Sequence, residues 1–184
     1  MSAPDDPREQ IDAEQPSAVE TEAEAVVEPL LTPVDGVPPV LSHATEFAEV
    51  AERLAAGTGP IAVDTERASG YRYSQRAYLV QLRRAGSGSF LLDPISEPDA
   101  LAPVIEALDG PEWVLHAADQ DLPCLRELGF RCETVFDTEL AGRLLGVPKV
   151  NLAAMVSTFL GLGLQKGHGA ADWPRRPLPH HWLN

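Results

Sequence analysis

The sequence is poor in cysteine, in long apolar segments and in targeting signals. Only two cysteines, Cys124 and Cys132, occur among its 184 residues. Two are too few for a disulfide framework or a four-ligand zinc site. No run of 18 apolar residues is present, and the N-terminus lacks the positive start and apolar segment of a signal peptide. We therefore expect a cytoplasmic protein with no transmembrane helix and no membrane partner.

Basic residues are also scarce, with 14 Lys and Arg against 28 Asp and Glu. The imbalance is concentrated in residues 1–36, which contain ten acidic residues, one basic residue and no aromatic residue. Such a segment buries too little apolar surface to offset the entropy that ordering costs. The composition therefore predicts a disordered acidic tail over residues 1–36, followed by one domain over residues 37–184.

Apolar periodicity predicts that this domain is of the α/β class. Phe47, Val50 and Leu54 recur at helical spacing before Gly57, which indicates a first helix. The segments PIAVDTE, AYLVQLRR and FLLDPI are strand-like and are joined by short connections, which favours an antiparallel three-strand meander. Helices and short strands then alternate, so we expect a mixed sheet, with parallel strands added to the meander, flanked by helices.

Acidic residues follow two of the predicted strands. Asp64 and Glu66 point to the same side of their strand because side chains alternate between faces. They are interpreted either as a solvated strand end or as ligands for a hard cation such as Mg²⁺ or Mn²⁺. After the strand WVLHA come Asp119, which suits a helix N-cap, and Asp121, which could face Asp64 and Glu66 at the same sheet edge.

Several motifs in sequence order resemble one family. The segments AVDTE, YRYSQRAYLVQLRR, VLHAADQDLPCL, VFDTELAGRLLG and LQKGHGAADWPRRPLP are similar to the exonuclease domain of ribonuclease D and its relatives. These proteins are DEDD-superfamily 3′–5′ exonucleases, of the DEDDy subgroup, with a ribonuclease H-like fold. The resemblance covers residues 39–184 and implies a metal-dependent exoribonuclease that acts in RNA processing. Its expected partner is a nucleic acid, with RNA favoured over DNA.

The resemblance also assigns roles to residues. It implies that Asp64, Glu66 and Asp121 are the catalytic acids of a two-metal Mg²⁺ or Mn²⁺ site. Asp121 is preferred to Asp119 because Leu122 follows it, as in the family's second motif.

Three further residues are candidate substrate contacts, each with a structural alternative. Tyr73, with Tyr71, could stack a terminal base or pack on a helix. Arg76 could meet a phosphate or protect a strand edge. His116 could touch substrate, although we expect it to satisfy a backbone group.

Three other residues are expected to have structural positions. Arg83 and Arg84 are expected at a solvated strand edge. Trp173 is expected to anchor the terminal loop through packing, with a partner for its indole N–H.

One motif of the family is not found. The third motif, a Tyr followed four residues later by an Asp, would come after the RPLP segment, and no Tyr lies beyond Tyr78. We therefore expect the chain to be truncated before this motif and to degrade RNA slowly. The alternative is a non-catalytic nucleic-acid-binding or regulatory module that retains the fold. The sequence does not indicate an oligomeric state.

Overall fold

The computed structural model of the chain describes residues 27–68, 76–165 and 171–183. The first half contains β1 (Glu28–Leu30), β2 (Val40–Leu41), α1 (Ala44–Ala56), β3 (Thr58–Arg67), β4 (Ala77–Ala85) and β5 (Gly88–Leu92). A 3₁₀ turn (Pro98–Leu101) leads into α2 (Ala102–Ala107), β6 (Trp113–Leu115), α3 (Ala118–Glu127), β7 (Val135–Asp137) and α4 (Thr138–Leu144). The last elements are α5 (Leu152–Leu160), β8 (Leu162–Leu164) and a 3₁₀ turn (His180–Trp182).

Helix α1 forms where the apolar spacing predicts it. Its apolar stripe is buried, with Phe47 and Leu54 fully inaccessible. The Glu46 carboxylate accepts the backbone N–H groups of Ser42 and His43 at 2.7 and 3.0 Å, which satisfies donors that a helix start leaves unpaired. Gly57 follows the last helical residue, so the predicted first helix is confirmed.

The main sheet has six strands in the order β2-β5-β4-β3-β6-β7. Strands β3, β4 and β5 form the antiparallel meander, while β6 and β7 extend it in parallel beyond β3. The predicted mixed sheet is therefore confirmed. Strand β5 ends at Leu92, earlier than the segment FLLDPI suggested, because Pro94 has no N–H to continue the ladder.

The two faces of the sheet are covered differently. On the first face, Ile61 and Val63 of β3 pack with residues of α1, α2 and α3 in the main core. On the second face, Leu79 and Leu91 pack against Trp173 of the C-terminal segment, residues 171–183. Glu66 pairs with Leu79 across β3 and β4, so the acids of β3 belong to this second face.

The C-terminal segment is anchored by aromatic packing. Trp173 is 1% exposed, and its ring meets that of Trp182 edge to face at 5.6 Å between centroids. The predicted packing role is confirmed. The predicted partner for the indole N–H is wrong, because Nε1 is buried without a hydrogen-bond partner among the described residues.

Part of the predicted tail, residues 27–36, is described and contains a strand. Strand β1 pairs in parallel with β8, with Glu28 opposite Leu162. Three-residue strands are too short to show a periodic pattern, which is why the sequence did not reveal them. Residues 1–26 of the predicted tail lie outside the described residues. Within the described ranges, no helix is long and apolar enough to cross a membrane.

Candidate active site

Strand β3 presents Asp64 and Glu66 on the second face of the sheet, as strand alternation predicts. Gln81 lies opposite Asp64 on β4. Its side-chain Nε2 donates to Asp64 Oδ2 at 2.9 Å and lies 3.5 Å from Glu66 Oε1. The Gln81 amide thereby bridges the two carboxylates. No sequence signal indicates this role of Gln81, because it depends on the pairing of β3 with β4.

Asp121 reaches the same strand from the opposite face. It lies in the first turn of α3 and is 6% exposed. Its Oδ1 accepts a hydrogen bond from the Thr65 hydroxyl, with 2.5 Å between the two oxygens. Thr65 stands between Asp64 and Glu66 on β3, but its side chain is on the core face. Asp119, in the same helical turn, is exposed. Of the two acids weighed for the second motif, Asp121 is the one that contacts β3.

The pKa values of these three acids are all raised. Burial, and then the charge of Asp121, raise the pKa of Asp64 to about 6, although the residue still meets solvent. Burial and the charges of Asp64 and Asp121 raise the pKa of Glu66 to about 7. Burial also raises the pKa of Asp121, against the hydrogen bond from Thr65 that lowers it. The negative charge of Asp121 thus acts on both acids of β3.

This donor chemistry suits a hard divalent cation. Carboxylate oxygens are the ligands that Mg²⁺ and Mn²⁺ prefer. A cation would also offset the neighbouring negative charge that, after burial, raises the pKa values of Asp64 and Glu66. In the arrangement seen here, the described residues contain no group of three or more His, Cys, Asp or Glu side chains placed to hold a metal ion. The acids therefore fit a divalent cation in the type of donor atom and in charge, but they are not arranged around a common metal position.

The turn that precedes α3 has an unusual backbone, which Asp137 supports. Ala117 adopts a left-handed conformation with φ of 58°, which is uncommon for a residue with a Cβ. The Asp137 carboxylate accepts the N–H groups of Ala117 and Ala118 at 3.1 and 2.9 Å. The expectation that Asp119 caps this helix is wrong, since the donors at its start are bound by Asp137.

Asp137 also caps the next helix. Its Oδ1 accepts the N–H groups of Glu139 and Leu140 at the start of α4. One carboxylate thus ties together the first turns of α3 and α4. Sequence reasoning missed this residue, although an Asp between a short strand and a helix is a typical N-cap signal.

The structure gives His116 a side-chain partner. Its Nδ1 lies 2.9 Å from Thr138 Oγ1, whose own hydroxyl donates to the Leu115 carbonyl at 3.1 Å. The hydroxyl proton is thereby used, so Nδ1 is the donor to Thr138. The expectation that His116 satisfies a backbone group is wrong.

The remaining predicted substrate contacts are only partly described. Arg76 is exposed just before β4. Tyr73, together with Tyr71, lies outside the described residues.

The other arginines that were considered are engaged within the fold. Arg83 pairs with Asp35 and donates to Ser89 Oγ. Arg84 donates to the carbonyls of Leu54 and Gly59. The expected strand-edge position of both residues is wrong, because β4 lies inside the sheet and pairs with β3 on one side and β5 on the other.

A largely apolar cavity of about 200 Å³ adjoins Asp64 on the second face. Val37, Ala62, Leu91 and Leu183 are among its lining residues. Because its polar side chains include Gln81 and Arg83, it combines an apolar wall with hydrogen-bond donors.

Comparisons with known proteins identify the family of the chain. A family model described as 3′–5′ exonuclease matches residues 39–184. Exosome complex component 10 of Rattus norvegicus is 31% identical over 159 residues, which cover 84% of this chain and 18% of that protein. Ribonuclease D of Psychromonas ingrahamii is 32% identical over 130 residues, which cover 68% of this chain and 34% of the relative.

A solved structure is similar in fold. The crystal structure of Escherichia coli RNase D, described as an exoribonuclease involved in structured RNA processing, matches with a TM-score of 0.66 and 26% identity. The match covers 78% of this chain and 39% of that one. The chain thus spans roughly a fifth to two fifths of the length of these known proteins.

Proposed function

Because the chain belongs to the 3′–5′ exonuclease family and has the ribonuclease H-like fold of ribonuclease D, we propose that it is a metal-dependent exoribonuclease acting on RNA 3′ ends. The observation that carries the proposal is the cluster of Asp64, Glu66 and Asp121. These acids come from two separate elements, and the charge of Asp121 contributes to the raised pKa of both acids of β3. Carboxylates with raised pKa values gathered around one strand are typical of a functional site.

The three acids would hold Mg²⁺ or Mn²⁺, which when bound makes a water more acidic and offsets charge on the leaving 3′-oxygen. Neighbouring residues of the chain orient these acids. Gln81 holds Asp64 in orientation through its 2.9 Å bond, and Thr65 does the same for Asp121. Both acids of β3 face outward, where a nucleic-acid end can approach the sheet.

The proposed substrate class is RNA. Relatives of the chain are named ribonuclease D, and the solved relative is described as processing structured RNA. The cavity beside Asp64 offers apolar surface against which a base can pack.

The test compares four variants on a 5′-labelled single-stranded RNA with Mn²⁺. Asp64→Asn, Glu66→Gln and Asp121→Asn each remove one charge of the cluster, whereas Asp119→Asn removes an exposed charge from the same turn as Asp121. We expect shortening from the 3′ end that is lost in the first three variants and retained in the fourth. Internal cleavage, or shortening that survives Asp64→Asn, would contradict the proposal.

Because the family's third motif is not found in these residues, turnover is expected to be slow and metal binding is measured in parallel. The free Mn²⁺ signal in electron paramagnetic resonance reports bound metal without turnover. Binding that falls in Asp64→Asn but not in Asp119→Asn supports the site. RNA binding that requires Mn²⁺, without any shortening, would instead favour the non-catalytic module.

A further inference from the structure

The residue between the two acids of β3 makes contacts of its own beneath the sheet. Thr65 is 7% exposed, and its side chain points away from Asp64 and Glu66 into the core face. There its hydroxyl meets Asp121 Oδ1 at 2.5 Å and Cys124 Sγ at 3.1 Å. The contact with Asp121 bridges residues 56 positions apart in sequence.

The donor in the hydrogen bond between Thr65 and Asp121 follows from which group carries a proton. An ionised carboxylate only accepts hydrogen bonds, and a threonine hydroxyl has one proton. The Thr65 proton therefore goes to Asp121 when that carboxyl is charged. The Cys124 thiol lies 2.9 Å from the backbone carbonyl of Asp121, and the buried cluster of Thr65, Asp121 and Cys124 thus fixes both the side chain and the backbone of Asp121.

A bond of this kind has a specific consequence for the carboxylate. With Oδ1 held by the hydroxyl, rotation of the Asp121 side chain is restricted, and Oδ2 is the oxygen that the bond does not use. Hydrogen bonds to ligand carboxylates set the orientation of metal ligands, and their loss typically weakens metal binding.

We propose that Thr65 is a positioning residue, whose hydroxyl orients Asp121 so that this carboxylate can serve as a ligand for a divalent cation. The inference rests on the proposed metal-dependent function. It extends that function by assigning a role to Thr65, for which the other interpretation is simple packing in the core. The packing interpretation attributes the position to the Thr65 methyl group and gives the hydroxyl no effect on the cation.

Thr65→Val and Thr65→Ser separate the two interpretations. The first keeps the branched shape and loses the hydroxyl, and the second keeps the hydroxyl and loses the methyl group. Mn²⁺ affinity, measured by electron paramagnetic resonance on the full chain, is expected to fall roughly 10- to 100-fold in Thr65→Val and to stay near the wild-type value in Thr65→Ser. Thermal melting without metal identifies any loss of folding, and Thr65→Ala replaces Thr65→Val if the latter does not fold.

Wild-type affinity in Thr65→Val, or an equal loss in Thr65→Ser, would overturn the positioning role. Asp64→Asn distinguishes this failure from failure of the proposed function. If Asp64→Asn loses Mn²⁺ binding while Thr65→Val does not, only the role of Thr65 is wrong. If Asp64→Asn and Asp121→Asn both bind as the wild type does, the metal site itself is wrong, and the role of Thr65 falls with it.

Discussion

At the scale of single residues, the acids of β3 differ from ordinary surface carboxylates in how strongly they bind protons. Asp64 and Glu66 have pKa values of about 6 and about 7, against ordinary values of 3.8 and 4.5. Burial is the largest cause in both, followed by repulsion from neighbouring acids. Their folded state therefore binds protons more tightly than their unfolded state does.

The expected result is a metal-free protein whose free energy of unfolding falls as pH rises from about 4 to about 7, through the window between the unfolded and folded pKa values. Urea denaturation in the presence of a chelator, at several pH values, measures this slope. The double variant Asp64→Asn and Glu66→Gln should flatten it, because neither replacement titrates. A slope identical in the variant and the wild type would show that other groups cause the pH dependence.

At the scale of elements, Asp137 joins two helices and the strained turn between β6 and α3. Burial alone would raise its pKa, but four backbone N–H donors outweigh burial and hold the pKa below its usual value. The stabilisation is therefore present at neutral pH and is lost as pH falls through the lowered pKa. Asn151 makes a simpler cap, in which its Oδ1 accepts only the Ala154 N–H, at 3.0 Å.

Asp137→Ala should consequently destabilise the protein more than Asn151→Ala does. Loss of an ordinary N-cap costs about 1 kcal/mol, which we expect for Asn151→Ala. Asp137→Ala also removes the charge-assisted bonds to Ala117 and Ala118, so its cost should exceed about 2 kcal/mol. Chemical denaturation at neutral pH compares the two variants, and equal costs would show that Asp137 acts as a cap alone.

At the scale of the whole molecule, an ion pair between Arg176 and Asp93 links the C-terminal segment to the sheet. Arg176 Nε lies 2.5 Å from Asp93 Oδ2, and Nη2 donates to Asp93 Oδ1 and to the Tyr78 carbonyl, both at 2.8 Å. The Asp93 side chain is 5% exposed. These contacts give Arg176 a structural role.

Arg176→Ala should strongly destabilise the protein because it leaves the buried Asp93 carboxylate without its cation. Breaking one side of a buried pair costs about 3–5 kcal/mol. Arg175→Ala is the matched control, since Arg175 is exposed and next in sequence, and it should change stability by less than about 0.5 kcal/mol. Thermal or urea denaturation of both variants tests this, and similar midpoints would show that the segment is held by Trp173 and its neighbours instead.

The sequence by itself determined the features that depend on local periodicity. Alternation along β3 placed Asp64 and Glu66 on one side, and helical spacing located α1 and its buried Phe47. The order of motifs was enough to identify the exonuclease family, which the family match then confirmed.

Only the tertiary structure decided which distant groups meet. Asp121 bonds to Thr65, Asp137 holds the turn before α3, and β1 pairs with β8 across more than a hundred residues. Local periodicity specifies which face a side chain occupies, but it carries no information on which strand or helix lies opposite that face. That information comes from the pairing order of the strands and the packing of the helices, which the burial of the whole core determines.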